Sequence, residues 1–212
     1  MTVSAAVHPT IASALWPDHT RPAVRAVILA VLGSLLVAAS AQIQIPLWPV
    51  PVTGQTFAVL VIGMAYGWRL GSATLALYLF EGAIGLPVFS NFSGGWQVLT
   101  GTTGGYLVGF VVAAGVIGWL AERGWDRRVA TTAAAMLIGN VIIYVLGLAW
   151  LTNFFAGVGA EYVASTGAKT AFGAAIASGM LPFLLGDGLK LALAAVIMPA
   201  AWSRVGKTDT DR

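Results

Sequence analysis

Three ionisable side chains sit inside stretches that are otherwise apolar: Glu81 in YLFEGAIG, and Asp187 and Lys190 in LPFLLGDGLKLALA. A charge surrounded by hydrocarbon is costly unless it meets a partner or faces a polar cavity, so each is a candidate for function. Asp187 and Lys190 are three apart and share one face of a helix. Two chemistries suit that pair. It can neutralise itself and nothing more, or it can offer a carboxylate acceptor and an ammonium donor to a ligand with matching groups. In the second case Phe183, one turn earlier, supplies apolar wall. Glu81 suits either a hydrated position at the end of its helix or a partner inside a bundle.

A second candidate is the run GLPVFSNFSGGWQVLTGTTGGYLVGF, from Gly85 to Phe110. Its seven glycines give backbone freedom, and Asn91, Gln97, Thr100, Thr102, Thr103 and Tyr106 give hydrogen-bonding groups. Trp96, Phe89 and Phe92 give flat apolar surface. A loop that folds over a small polar ring needs this mixture. A surface linker has the same composition, and only the surrounding elements separate the two readings.

Those elements belong to a membrane. The chain is 58% hydrophobic and 9% charged, with a mean hydropathy of +0.85. A soluble domain has roughly a quarter of its residues charged. The reading is an all-α integral membrane protein with six transmembrane helices. The expected spans are residues 26–45, 53–66, 72–85, 104–121, 129–151 and 170–200. A tight turn at 67–71 separates the second from the third, and the sixth breaks near Gly179 or Pro182. Pro46, Pro49 and Pro51 make IPLWPVPVTGQ a loop or extended reach. Residues 1–22 and 204–212 are expected to be cytoplasmic tails flanking a membrane domain of residues 23–203.

Cation placement orients the bundle. Arg21, Arg25, Arg69, Arg123, Arg127, Arg128, Arg204, Lys207 and Arg212 fall on the side of the termini; Lys169 falls opposite, and Lys190 lies within a span. Positive loops face the cytoplasm, so both termini are expected there and Gly85–Thr103 outside, where a solute arrives. Small residues recur at four-residue spacing in Ala26, Ala30, Ser34 and Ala38, and in Gly101, Gly105 and Gly109. Such ridges let helices approach closely. The first is either an internal packing face or a docking face for another membrane subunit. No phosphate loop, H-E-x-x-H or G-x-S-x-G motif occurs, and there is no cysteine, so the sequence reads as a non-enzyme without a metal or cofactor. His8 and His19 lack the neighbours a metal site needs.

With the residues laid out this way, the chain resembles the BioY family, the biotin-specific substrate-binding (S) components of energy-coupling factor transporters. The carriers are IPLWPVPVTGQTFAVLVIGMAYGWRLG, YLFEGAIGLPVF, GTTGGYLVGF and GDGLK, in that order between Ile43 and Lys190. The family commonly has a proline where this chain has Thr102, a mild departure because Thr-Gly-Gly-Tyr follows. The resemblance implies a six-helix bundle in the cell membrane that binds biotin from outside, with its first and third external loops closing over the ligand. It implies ligand contacts at Asn91, Asp187 and Lys190, with Gln97 the alternative to Asn91. Trp96 and Tyr106 would cover the bicycle. It further implies that Ala26, Ala30 and Ser34 dock a transmembrane coupling subunit served by two cytosolic ATPases. The alternative is a stand-alone facilitator acting as a homo-oligomer without ATPases.

Overall fold

The computed structural model describes residues 8–16, 21–158 and 160–208. Among the described residues, five helices are long and apolar enough to cross a membrane: α2 (Pro22–Gln42), α3 (Gln55–Ala83), α5 (Gly104–Ala121), α6 (Val129–Val158) and the stretch Ala171–Arg204. The last of these is broken, as its sequence suggests, into α8 (Ala171–Gly179), a 3₁₀ turn at Leu181–Phe183 and α9 (Leu184–Thr208). Short helices α1 (Ile11–Leu15), α4 (Trp96–Thr100) and α7 (Ala160–Ser165) lie between or before them. The chain is thus a helical, multi-pass membrane protein. One small departure is an antiparallel ladder, β1 (Gln44–Ile45) against β2 (Val52–Thr53), which closes the proline-rich reach into a hairpin with a cis Trp48–Pro49 bond.

α3 is the element on which the span count turns. Gly67 has φ 81° and ψ 176°, a conformation open to glycine and rare for L side chains. There the helix reverses. Gln55 Nε2 donates to the Tyr78 hydroxyl at 2.8 Å, although 23 residues of straight helix would hold them about 35 Å apart. A Cβ on Gly71 would stand 3.1 Å from the Gly63 Cα, so the two arms cross with nothing between their backbones. The arms, residues 55–66 and 68–83, overlap the expected second and third spans, but residues 68–71, expected within a tight turn, are helical because Gly67 alone makes the reversal.

α2 packs its small-residue side against α3. Pro22 opens it at the first turn, where a missing N–H costs nothing, and Val27, Val31, Leu32, Leu35 and Leu36 are exposed along one side. The small-residue ridge faces the other way. Ser34 is fully buried and its hydroxyl donates to Glu81, while a Cβ on Gly33 would meet Tyr66 and Thr74 of α3. Ser34 packs inside the bundle, where the Glu81 carboxylate takes its hydroxyl. Ala26 and Ala30, on the same ridge, are half-buried. Glu81 accordingly takes the second of its two readings, a partner within the bundle.

The chain's beginning, the α3 reversal, the loop after α5 and the end of α9 meet at one end of the bundle. The His8 N–H donates to the Glu122 carbonyl at 2.8 Å, and Glu122 Oε1 accepts from the Trp68 N–H at 3.1 Å. Trp202 Nε1 donates to Asp126, and the Arg127 guanidinium lies 4.5 Å from the Trp202 ring centroid. Residues 8–16 fold back, with Ile11 and Ala12 buried, and α9 carries its backbone hydrogen bonding past residue 204 to Thr208. Residues 1–7, 17–20 and 209–212, with His19 and Arg212, lie outside the described residues.

Asp126 is fully buried at this end, and its Oδ1 has no partner among the described residues. Burial pushes its carboxyl above the usual range, against the opposing pull of the Trp202 N–H, a backbone N–H, Arg127 and His8. Between the unfolded and the raised folded value, the folded chain holds more protons, so stability rises as pH falls through that window and is lost as pH rises. The melting temperature in detergent is expected to climb as pH is lowered from neutral towards the ordinary carboxylate range. Asp126→Asn should flatten that slope; an unchanged slope in the variant would remove Asp126 as its source.

Candidate ligand-binding cavity

Opposite the terminal end, the hairpin and the Gly-rich stretch roof a cavity of about 440 Å³, within the size range of small-molecule sites. Its floor and walls come from α3, α5, α6 and α9. Gln44, Pro46, Leu47, Val50, Thr53 and Pro51 enter from the hairpin, and Phe89, Ser90, Asn91, Ser93 and Val98 from the roof loop.

The roof is tied down by side chains that bond backbone. The Gln42 amide donates to the Phe89 carbonyl at 3.0 Å and accepts from the Phe92 N–H at 3.1 Å. Ser90 donates to the Gln44 side chain, and the Thr102 hydroxyl donates to the Pro49 carbonyl at 2.7 Å. These last two bonds join the first and third loops directly. A proline at 102 has no donor to make the second. Phe89 is buried edge-on against Tyr78, with ring centroids 5.4 Å apart, and sits where a Cβ on Gly82 would be. Asn91 and Phe92 adopt left-handed backbone at φ 57° and 52°, a region Asn enters more readily than most residues, and this sets Asn91 at the cavity's mouth.

Asp187 and Lys190 lie in the cavity wall. Lys190 Nζ donates to Asp187 Oδ1 at 3.0 Å, the Thr53 carbonyl at 2.8 Å and Thr56 Oγ1 at 2.9 Å. Asp187 Oδ1 also accepts from Thr56 at 3.2 Å, and its Oδ2 accepts from the Tyr144 hydroxyl. An ammonium has three donors, so Lys190 is saturated; a carboxylate has about four acceptor sites, so Asp187 keeps one. Thr53, Thr56 and Tyr144 were not singled out from sequence. The signal for Tyr144 was there: Asn140 and Tyr144, four apart in LIGNVIIYVL, are the polar positions of an apolar run and share a face.

The other sequence candidates separate. Asn91, Tyr106, Asp187 and Lys190 line the cavity, whereas Trp96 and Gln97 do not. Trp96 is 64% exposed: α4 begins there, and its first residues point away from the chamber. Tyr106 gives its ring to the wall, but its hydroxyl donates to the Gly179 carbonyl at 2.9 Å, so it also locks α5 to α8. Behind Asn140, Tyr144 and Asp187 lies a second, mostly apolar crevice of about 610 Å³ between α6 and the α8–α9 stretch. Among the described residues, no cluster of His, Cys, Asp and Glu is arranged to hold a metal.

A helical membrane bundle with a roofed chamber at one end, its polar groups converging from a broken last helix, defines a solute-binding membrane protein. The comparisons with known proteins place it more closely. The BioY family model matches residues 10–207. The biotin transporter BioY of Thermotoga maritima is 42% identical over 173 residues, which covers 82% of this chain and 93% of that protein. The probable biotin transporter BioY of Pyrococcus horikoshii is 34% identical over 171 residues, 81% of this chain and 92% of that one. In fold, the chain resembles the solved S-component for biotin from an ECF-type ABC transporter, with a TM-score of 0.66 at 21% identity over 85% of this chain and 92% of the other. The chain belongs to the BioY family.

Proposed function

We propose that this chain binds biotin from the extracytoplasmic side and mediates its uptake across the cell membrane as the substrate-specific component of an energy-coupling factor transporter. The observation that carries the reading is the chamber itself. A carboxylate with one acceptor site left, a neighbouring ammonium and an apolar surround from Phe110, Ile143 and Phe183 suit a ureido ring on an apolar bicycle. Asn91 closes from the mouth, and Tyr106 supplies aromatic wall. Six crossings follow if both arms of α3 span; they leave both termini on one side, which the placement of the cations makes the cytoplasmic one in this reading, with residues 23–203 as the membrane domain. A transmembrane coupling subunit and two cytosolic ATPases supply the energy in this reading.

Equilibrium binding of biotin, thiamin and riboflavin to the purified full chain tests the ligand. Biotin is expected to saturate one site per chain, and the other two to leave it empty. Tighter binding of either rival vitamin would sink the reading. Uptake by cells making this chain with and without a coupling module tests the partners: transport is expected only with the module.

A further inference from the structure

Most polar side chains around the chamber are already spoken for. Lys190 is saturated, Gln55 is held by Tyr78 and Thr53, Gln44 by Ser90, and the Tyr106 hydroxyl by Gly179. Asn140 is different. It lines the chamber from the middle of α6 at 6% exposure, and its Oδ1 is shut away from solvent without a partner. Among the described residues its amide nitrogen has no hydrogen-bond partner either. The nitrogen opens towards the chamber, whereas an unpaired amide oxygen shut into a dry interior is costly, and a leucine would fill the same run LIGNVIIYVL without that cost. Asn91 is no parallel, since it is exposed at the mouth.

Position gives Asn140 a task. It precedes Tyr144 by four residues, so the two share a face of α6 about 6 Å apart along the axis. Tyr144 donates to Asp187, which sets Asn140 beside the polar corner of the chamber and one turn deeper in the bundle. A carboxamide carries a donor and an acceptor side by side, and their positions exchange by a flip that leaves packing unchanged. The complement of that edge is an N–H next to a C=O held cis, as in a cyclic urea.

We propose that Asn140 is a specificity-determining contact of this site, hydrogen-bonding the ureido edge of the ligand from the floor of the chamber. This rests on biotin being the ligand. Asp187 accepts one ureido N–H with its remaining site, and Asn140 meets the ring with one amide atom, its nitrogen donating to the carbonyl or, after the flip, its oxygen accepting the other N–H. The cost of the unpaired amide in the empty site is then relieved on binding, and a ligand lacking the urea leaves it unpaired, which is how such sites reject analogues.

The test compares wild type, Asn140→Leu and Asn140→Asp in equilibrium binding of biotin and of 2-iminobiotin, whose cyclic guanidinium replaces the urea. Asn140→Leu is expected to weaken biotin by about 10- to 100-fold, while the ligand-free protein melts no lower than wild type because an unpaired amide has gone. Asn140→Asp is expected to shift preference towards 2-iminobiotin by about 10-fold or more, since a carboxylate suits the cation; a folding defect cannot produce that gain. Wild-type biotin affinity in Asn140→Leu overturns the assignment of Asn140 and leaves the ligand standing. If Asn140→Leu does not fold, the preference of Asn140→Asp decides, and an unchanged ratio overturns the assignment. Failure of the wild-type protein to bind biotin overturns the ligand itself.

Discussion

Lys190→Met is expected to lose biotin binding and to destabilise the bundle by roughly 3–5 kcal/mol, the usual cost of leaving one member of a buried pair behind. Lys190 reaches from α9 to the Thr53 carbonyl at the end of the hairpin and to Thr56 at the start of α3. Methionine keeps the volume and removes all three donors, so it frees the hairpin from α9 and strips Asp187 of its counter-charge. Asp187→Asn is the milder partner variant: its single carbonyl oxygen keeps an acceptor on one side only, so either Thr56 or Tyr144 loses its acceptor, and the charge that balances Lys190 is gone. Because each single change leaves an uncompensated charge, the double variant should be less destabilised than the two singles summed. Binding should be absent in all three. Wild-type biotin affinity in Asp187→Asn and in Lys190→Met would mean that the pair serves neutrality alone.

Gly118→Ala is the second large effect, expected at roughly 1–3 kcal/mol or more of destabilisation from one added methyl. A Cβ there would lie against the Gly67 backbone and 2.5 Å from the Trp68 nitrogen. Side chains can swing aside; a backbone in a glycine-only reversal cannot. Gly157→Ala is the matched control, because nothing stands within 4 Å of its Cβ on α6. There alanine is expected to stabilise by up to about 1 kcal/mol through helix propensity. Thermal unfolding of the two variants in detergent reads the contrast. Equal effects would show that α5 does not press on the α3 reversal.

Much of the architecture was legible because it rests on local patterns. An apolar run of about twenty residues has few choices in lipid but a helix, and α5 begins and ends where the hydropathy says it should. The reversal at Gly67 and the break around Gly179–Pro182 were legible for the same reason, since Gly and Pro act on the backbone where they stand. Helix ends were less legible. α6 runs on to Val158 and α7 follows, where glycines in 153–169 suggested a loop, because tertiary packing of Phe155 overrides a modest glycine penalty.

The site divides along the same line. Sequence alone determined that Asp187 and Lys190 need a reason to be in a membrane, that they share a face, and that a Gly-rich loop lies at the opposite end from the cations. Each follows from composition or helical spacing within one segment. Tertiary structure decided what answers them: Thr53, Thr56 and Tyr144 come from 131 to 137 positions and 43 positions away in the chain. It also turned Ser34 inward onto Glu81 and Trp96 outward, and it left Asn140 facing the chamber unpaired. Spacing within a helix can say which residues share a face. Only the packing of helices against one another says what that face meets.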